Sequence, residues 1–398
     1  GEALSLLTRS LSLLTNSLHT SKQITSYNMF KLQGELSKTQ SIILGIAGFV
    51  FLILVWWLIA ETRSERLPVY EAVVFPESTL GADDKMLAML DSLQQLDSTR
   101  AANATAYELR YPIIPRPDKV IKIIPEMIKQ DHLFSNTLLS LWRNIQGYIW
   151  AILIAVPFGF LLGLLPFFKG LFSRPVDALR FLPLTALTGV FMLAFGTQEE
   201  MKVTFLAFGI FVYLLPVVVQ RVREVSDVYL KTTFTLGASD WQTIRTVYLP
   251  SVMSRLVEDI RVLTAISWTY IIIAELLNKE GGIGALMYTS GRQGLSEKVF
   301  AGLFVIILVG FMQDYVFSFI QKRLFPYKHF KSAASGIKES QTGIYVILVM
   351  LFALVMMALI TPDFAASILR YSPILLITGL IIIVMGEIKI FQHSSNNQ

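Results

Sequence analysis

Apolar residues along this chain gather into eight long runs separated by polar segments, and the runs predict membrane-spanning helices. They are Ser41–Ala60, Asn136–Leu165, Phe181–Gly196, Val203–Gln220, Leu256–Leu277, Phe300–Ile320, Gly343–Ile360 and about Pro373–Ile390. A run of about 20 apolar residues suffices to cross a hydrocarbon core of about 30 Å. Pro157 interrupts the second run and predicts a kink there. Gly159 and Gly163 in the same run are spaced for close approach to a neighbouring helix. Before the first run, Leu4, Leu7, Leu11, Leu14 and Leu18 form a short heptad-like seam within residues 1–28, read as an amphipathic helix. Met29 is an alternative natural start, which would make the residues before it an extension.

The interruptions carry topology. Lys31 and Lys38 precede the first run, Lys169, Arg174 and Arg180 follow the second, and Lys322, Arg323, Lys328, Lys331 and Lys338 follow the sixth. Short loops rich in Lys and Arg stay on the cytoplasmic side, so both termini are expected inside. The segment from Glu61 to about Gln130 then lies outside. It contains an expected amphipathic helix with Met86, Met89, Leu90, Leu93 and Leu96 on one face. An extended approach stiffened by Pro112, Pro115 and Pro117 follows it.

One interruption stands apart. Lys231 to Pro250, KTTFTLGASDWQTIRTVYLP, is inside by the charge rule and too long to be an idle connector. Leu236, Trp241, Ile244, Val247 and Tyr248 recur at helical spacing, so it reads as helix, turn and helix, with Gly237 at the turn and Leu249-Pro250 closing it before the next span.

Composition narrows the class. The hydrophobic fraction is 54%, the charged fraction 16%, and the mean hydropathy +0.57, as in polytopic membrane proteins. The net charge of +5 sits mostly in the inner loops, so it reports topology and gives no reason to expect nucleic-acid binding. With no cysteine there are no disulfides or thiolate metal sites, and the four scattered histidines suggest no metal centre. No G-x-x-x-x-G-K-[ST] loop is present, so no ATPase or other catalytic site is expected on this chain.

The fifth run, Leu256–Leu277, carries several ionisable residues. Glu258, Asp259 and Arg261 occupy its first turns, where snorkelling to the interface is the expected outcome. Glu275 lies near its outer end, followed by the Gly282-Ile283-Gly284 turn. Glu275, Gly282 and Gly284 are candidates for the pathway or a gate, and bracing of the turn by Glu275 is the favoured alternative. Asp314 lies in the inner half of the sixth span.

Gly237, Val247, Leu249 and Pro250 fall at the offsets of the Glu-Ala-Ala loop of ABC importer permeases, and LGASDWQTIRTVYLP resembles the nitrate/sulfonate/taurine branch. The likeness extends from about Tyr111 to Pro326 and includes Ala274-Glu275-Leu276-Leu277 with its glycine turn. The Glu-Ala-Ala positions themselves are Lys231, Thr232 and Thr233 here. The resemblance implies an all-α polytopic membrane protein with a type I ABC importer permease-like core of about six transmembrane helices and a C-terminal two-helix addition.

The expected organisation is a cytoplasmic N-terminal segment (1–40), a first transmembrane helix (41–60) and an extracytoplasmic insertion (61–130). A permease core (131–326) with its coupling loop (231–250), a basic cytoplasmic linker (327–342) and a C-terminal transmembrane hairpin (343–398) complete it. By the same resemblance, Lys231, Thr232, Thr233, Leu236, Gly237, Ala238, Trp241, Val247, Leu249 and Pro250 dock on a separate ATPase subunit that holds ATP and Mg. No cofactor is expected on this chain. The further partners implied are an extracytoplasmic substrate-binding protein, a second permease copy in a homodimer and membrane lipid, in a bacterial inner membrane. The substrate implied is an oxyanion, sulfonate, bicarbonate or small heterocycle. The alternatives are a permease-like membrane scaffold without transport, which the Lys231-Thr232-Thr233 departure permits, and a secondary transporter.

Overall fold

The computed structural model describes residues 36–69, 92–96, 99–100, 106–277, 280–326, 336–360 and 372–395. The leucine seam of residues 1–28 lies outside them, as does most of the amphipathic helix expected around Met86. The chain divides into two compact units, 1–119 and 120–398.

In the first unit, helix α1 spans Lys38–Thr62 and starts on a reciprocal capping box between Ser37 and Gln40. Its apolar side chains are exposed nearly all round, as suits a helix whose solvent is lipid. Strands β1 (Glu65–Val69) and β2 (Ala106–Arg110) pair antiparallel, with Glu65 opposite Arg110. The expected all-α fold holds for nearly all of the described residues, and this two-stranded sheet is the exception among them. After β2, Trp56 Nε1 donates to the Pro115 carbonyl at 3.0 Å, and the Arg116 guanidinium lies 4.3 Å from the centre of the Trp57 ring. Helix α2, Pro117–Lys129, begins with proline at its first position, where the missing N–H has no partner to lose.

The second unit is a helical bundle. Its elements are α3 (Leu133–Leu164), α4 (Pro166–Leu179), α5 (Thr188–Phe195), α6 (Glu199–Arg223), α7 (Asp227–Thr235), α8 (Asp240–Leu277), α9 (Ile283–Arg292), α10 (Ser296–Leu324), α11 (Ile337–Ile360) and α12 (Ser372–Ser395). Among the described residues, seven helices are long and apolar enough to cross a membrane. The expected straight span Phe181–Gly196 is corrected. A 3₁₀ turn at Leu184–Leu187 leads into the short α5, and this pair is bent by 93° from α4. Pro183 is the cause: it disfavours helix at Leu182 and has no N–H to continue one. Counting the bent pair as one span gives eight.

Packing of α3 on α6 follows the small residues. A methyl group added at Gly159 would meet Val218 at 2.5 Å, and one at Gly163 would meet Val222 at 2.6 Å. The glycines therefore set the interaxial distance, because only hydrogen fits there. Beyond the core, α11 and α12 approach through Gly343 and Gly379: a methyl at Gly343 would lie 2.7 Å from the Gly379 carbonyl. Arg323 at the end of α10 pairs with Glu387 of α12, and Ser340 of α11 donates to the same carboxylate at 3.0 Å. Leu348, Leu351 and Phe352 of α11 also wall an apolar cleft of about 860 Å³ against α3 and α10. The C-terminal hairpin is thus built onto the core.

Candidate functional site

Two places on α8 concentrate the candidate residues, one at each end. The Lys231–Pro250 interruption supplies the first. Helix α7 ends at Gly237, whose φ of +69° is the left-handed conformation that glycine adopts without steric cost. Gly237 N–H donates to the Phe234 carbonyl at 3.0 Å and Ala238 N–H to the Thr233 carbonyl at 3.0 Å, the paired bonds that cap a helix C-terminus. Two residues on, Ser239 accepts from Gln242 N–H while the Gln242 side chain accepts from Ser239 N–H, and α8 begins.

The expected closure at Leu249-Pro250 is corrected here, since α8 runs through it. Ile244–Tyr248 form a single π turn, and Leu249 N–H donates to the Ile244 carbonyl five residues back. Widening by one residue makes room for the Pro250 ring, which would otherwise clash with the preceding turn. The second half of the interruption and the span that follows are therefore one continuous helix, Asp240–Leu277.

Around this turn, large apolar groups face outward. Leu236 is 78% exposed, Trp241 70% and Phe234 67%. Lys231, Thr232 and Leu249 are exposed too, while Thr233, Ala238, Val247 and Pro250 are half-buried. The neighbouring charges are satisfied. Arg221 grips Asp259 with two bonds of 2.7 Å, and Glu224 accepts from Arg221 at 2.6 Å and from Arg255 at 3.3 Å. Gln220 first, then Arg221, hold the Glu224 carboxyl below its ordinary value, so it stays ionised near neutrality. Arg261 pairs with Asp314 of α10. Asp259 and Arg261, expected to snorkel to the interface, are each paired across helices.

The other end of α8 holds Glu275, which is fully buried. Its carboxylate accepts from Arg143 Nη1 at 2.7 Å, Ser140 Oγ at 2.6 Å and Gly284 N–H at 2.9 Å. The rest of the glycine turn is held from α3: Gly282 N–H donates to Asn136 Oδ1 at 2.9 Å and Ile283 N–H to Ser140 Oγ at 2.9 Å. Gly282 has φ of +102°, and a side chain there would collide with the Glu275 carboxylate. At Gly284 a methyl would lie 3.0 Å from the Ile272 backbone. The three candidates Glu275, Gly282 and Gly284 are therefore brought into direct contact.

Sequence reading missed the rest of this network. Arg143 also donates through Nη1 to the Gly281 carbonyl at 3.1 Å, through Nη2 to the Glu280 carbonyl at 3.1 Å, and through Nε to Glu199 at 2.7 Å. Its Nη2 makes a further pair with Glu199. Lys202, fully buried in the first turn of α6, donates to Glu199 at 3.0 Å. The available signal was Arg143 itself, a cation within an apolar run, which requires a buried anion for company.

Residues 134–326 match a family described as the binding-protein-dependent transport system inner membrane component. The taurine transport system permease protein TauC of Escherichia coli (strain K12) is 25% identical over 219 residues, 54% of this chain and 80% of its own length. The putative aliphatic sulfonates transport permease protein SsuC of Bacillus subtilis (strain 168) is 25% identical over 221 residues, 54% and 79% of the two chains. Among solved structures, a chain of the inward-facing MetNI methionine ABC transporter aligns with a TM-score of 0.42 and 18% identity. That alignment covers 50% of this chain and 98% of the other.

Proposed function

Residues 134–326 are a binding-protein-dependent transport system inner membrane component domain, and from that premise we propose that this chain is the membrane-spanning subunit of an ATP-driven importer. Its homologues are permease subunits of ABC transporters, and hydrolysis belongs to a separate ATPase that holds ATP and Mg. The observation that carries the reading is the exposed cluster of Phe234, Leu236 and Trp241 around the Gly237 cap. Such a patch on a rigid, fully capped turn is a docking surface, and aromatic anchors dominate the energy of such contacts.

In this reading the interruption faces the cytoplasm, as its arginines favour, and docks in a groove of the ATPase. The glycine turn faces outside, where a binding protein delivers substrate. Two copies of the chain form the pathway, in a bacterial inner membrane. The substrate is a small oxyanion, since the relatives are named for taurine and aliphatic sulfonates. Closure of the ATPase dimer pulls the interruption, and α8 carries the displacement to the braced turn.

The test is reconstitution of this chain with its partner ATPase in proteoliposomes. Trp241→Ala should leave insertion and folding unchanged but weaken ATPase binding by about thirtyfold, the loss expected for an aromatic hot spot. Unaltered affinity and uptake in this variant would remove the interruption from its role.

A further inference from the structure

Arg143 and Lys202 are both completely buried, yet the carboxylate they share is not: the Glu199 side chain is 52% exposed. Among the described residues this cluster holds two cations, Arg143 and Lys202, and two anions, Glu199 and Glu275. Glu275 is tied to Ser140 and the glycine turn and is out of reach of solvent. Glu199 contacts the network through its carboxylate alone, clamped by Nε and Nη2 of Arg143 on one side and by Lys202 Nζ on the other. All five N–H bonds of the guanidinium are in use, two of them on Glu199.

The members are unequal in a useful way. Rotation of Glu199 away would leave two N–H donors of Arg143 and one of Lys202 without that acceptor, and two buried cations against one buried carboxylate. A buried charge without a partner is strongly unfavourable, so that vacancy has a high affinity for one negative charge. Its shape is fixed by the guanidinium fork, which accepts two coplanar oxygens. Because both cations are buried, only a compact group reaches them, not a charge displayed on a macromolecular surface.

We propose that Arg143 and Lys202 form a socket for a small free oxyanion (a sulfonate, a nitrate or a carboxylate) and that Glu199 occupies it as a built-in stand-in. Exchange of Glu199 for the incoming anion releases the first turn of α6 from α3 without leaving either cation unpaired. Arrival of the solute is then coupled to loosening of the bundle at that end. This role rests on the permease reading; the binding itself does not.

The experiment uses the full chain in lipid nanodiscs without an ATPase, titrated with sodium methanesulfonate or sodium nitrate against chloride at constant ionic strength. Binding is followed by calorimetry and by the thermal unfolding midpoint. A tethered competitor lowers apparent affinity by the fraction of time the site is free, so Glu199→Ala should bind either anion about tenfold more tightly than the unaltered chain. Its depressed unfolding midpoint should rise towards that of the unaltered chain as anion is added. Adding Lys202→Gln should undo at least most of that gain. If Glu199→Ala does not fold, Glu199→Gln, which keeps the shape and loses the charge, serves for the same titration and should also tighten binding. Equal affinity in the unaltered chain and the Glu199 variants, or full binding after Lys202→Gln, overturns the socket. Anion binding intact in nanodiscs beside absent uptake in the proteoliposomes with the partner ATPase would count against the permease reading and leave the socket standing.

Discussion

The two ends of α8 break the ordinary rule of burial in opposite directions. At the glycine turn, charges are inside: Arg143, Lys202 and Glu275 are all buried. At the interruption, large apolar groups are outside: Phe234, Leu236 and Trp241 are exposed. The first end is chemically closed, because every N–H of the Arg143 guanidinium is matched by an acceptor within the chain. The second is chemically open, because its backbone is fully capped while its side chains find no cover. Stability is therefore expected to depend on the closed end, and assembly on the open one.

The largest break in this contrast is Glu275→Ala. It strands Arg143 in the bundle and orphans the Gly284 amide, and removing one partner of a buried pair costs about 3–5 kcal/mol. Denaturant titration of the protein in mild detergent measures it, and a loss below about 1 kcal/mol would demote the network to a surface-like ion pair. Next comes Gly282→Ala, where the new methyl meets the Glu275 carboxylate and the backbone must hold φ of +102°. Overpacking of this kind costs about 1–3 kcal/mol. It should scale with the pairing it disturbs, so in a Glu275→Ala background the same substitution should cost less. Equal costs in both backgrounds would show that the clash lies elsewhere.

Much of this contrast was legible from residue order alone. The spacing from Gly237 to Leu249-Pro250 announces the interruption, and Glu275 with its glycines announces the turn. Other parts were not legible, for physical reasons. The strands ERLPV and AYELR are five residues each and pair across a long insertion, so neither carries enough periodicity to declare itself. The bend before Leu184 depends on a single proline inside an apolar run that satisfies any span criterion by composition. The network at the turn joins residues 143, 199, 202 and 275, and no local pattern links positions so far apart. Lys202 falls in the polar stretch between two apolar runs, yet its first-turn position in α6 buries it against Glu199.

At the open end the effects shrink in stability and grow in assembly. Gly237→Val finds empty space around its side chain but must adopt φ of +69°, a local strain of about 1–3 kcal/mol. The chain should still insert, and substrate-stimulated ATP hydrolysis by the assembled complex should fall. Unchanged stimulation would show that the cap does not position the docking surface.

Smallest of all is Lys231→Glu. The side chain is exposed in α7, so folding should be unaffected to within about 0.5 kcal/mol. If the partner groove is acidic there, the substitution weakens ATPase binding and the deficit narrows as salt screens it. Lys231→Ala should fall between the two. Equal affinity of the glutamate variant and the unaltered chain at low salt would mean that Lys231 points into water in the complex as well.

Trp241 and Glu275 stand on the same uninterrupted helix, about 50 Å apart at 1.5 Å per residue, because the π turn lets Pro250 pass without a break. A break at Pro250 would have made two short rods with a hinge between them, and a push on one would have died in the hinge. As built, α8 is one helix tied by ion pairs to α6 and α10 partway along its length, and in the proposed importer it would act as a lever. A tilt of about 5° about those fastenings sweeps each tip through roughly 2 Å for a helix of this length, in opposite senses. One extra residue in one turn of helix is thus what keeps the two tips on a single rod, so that in the proposed importer they would move together.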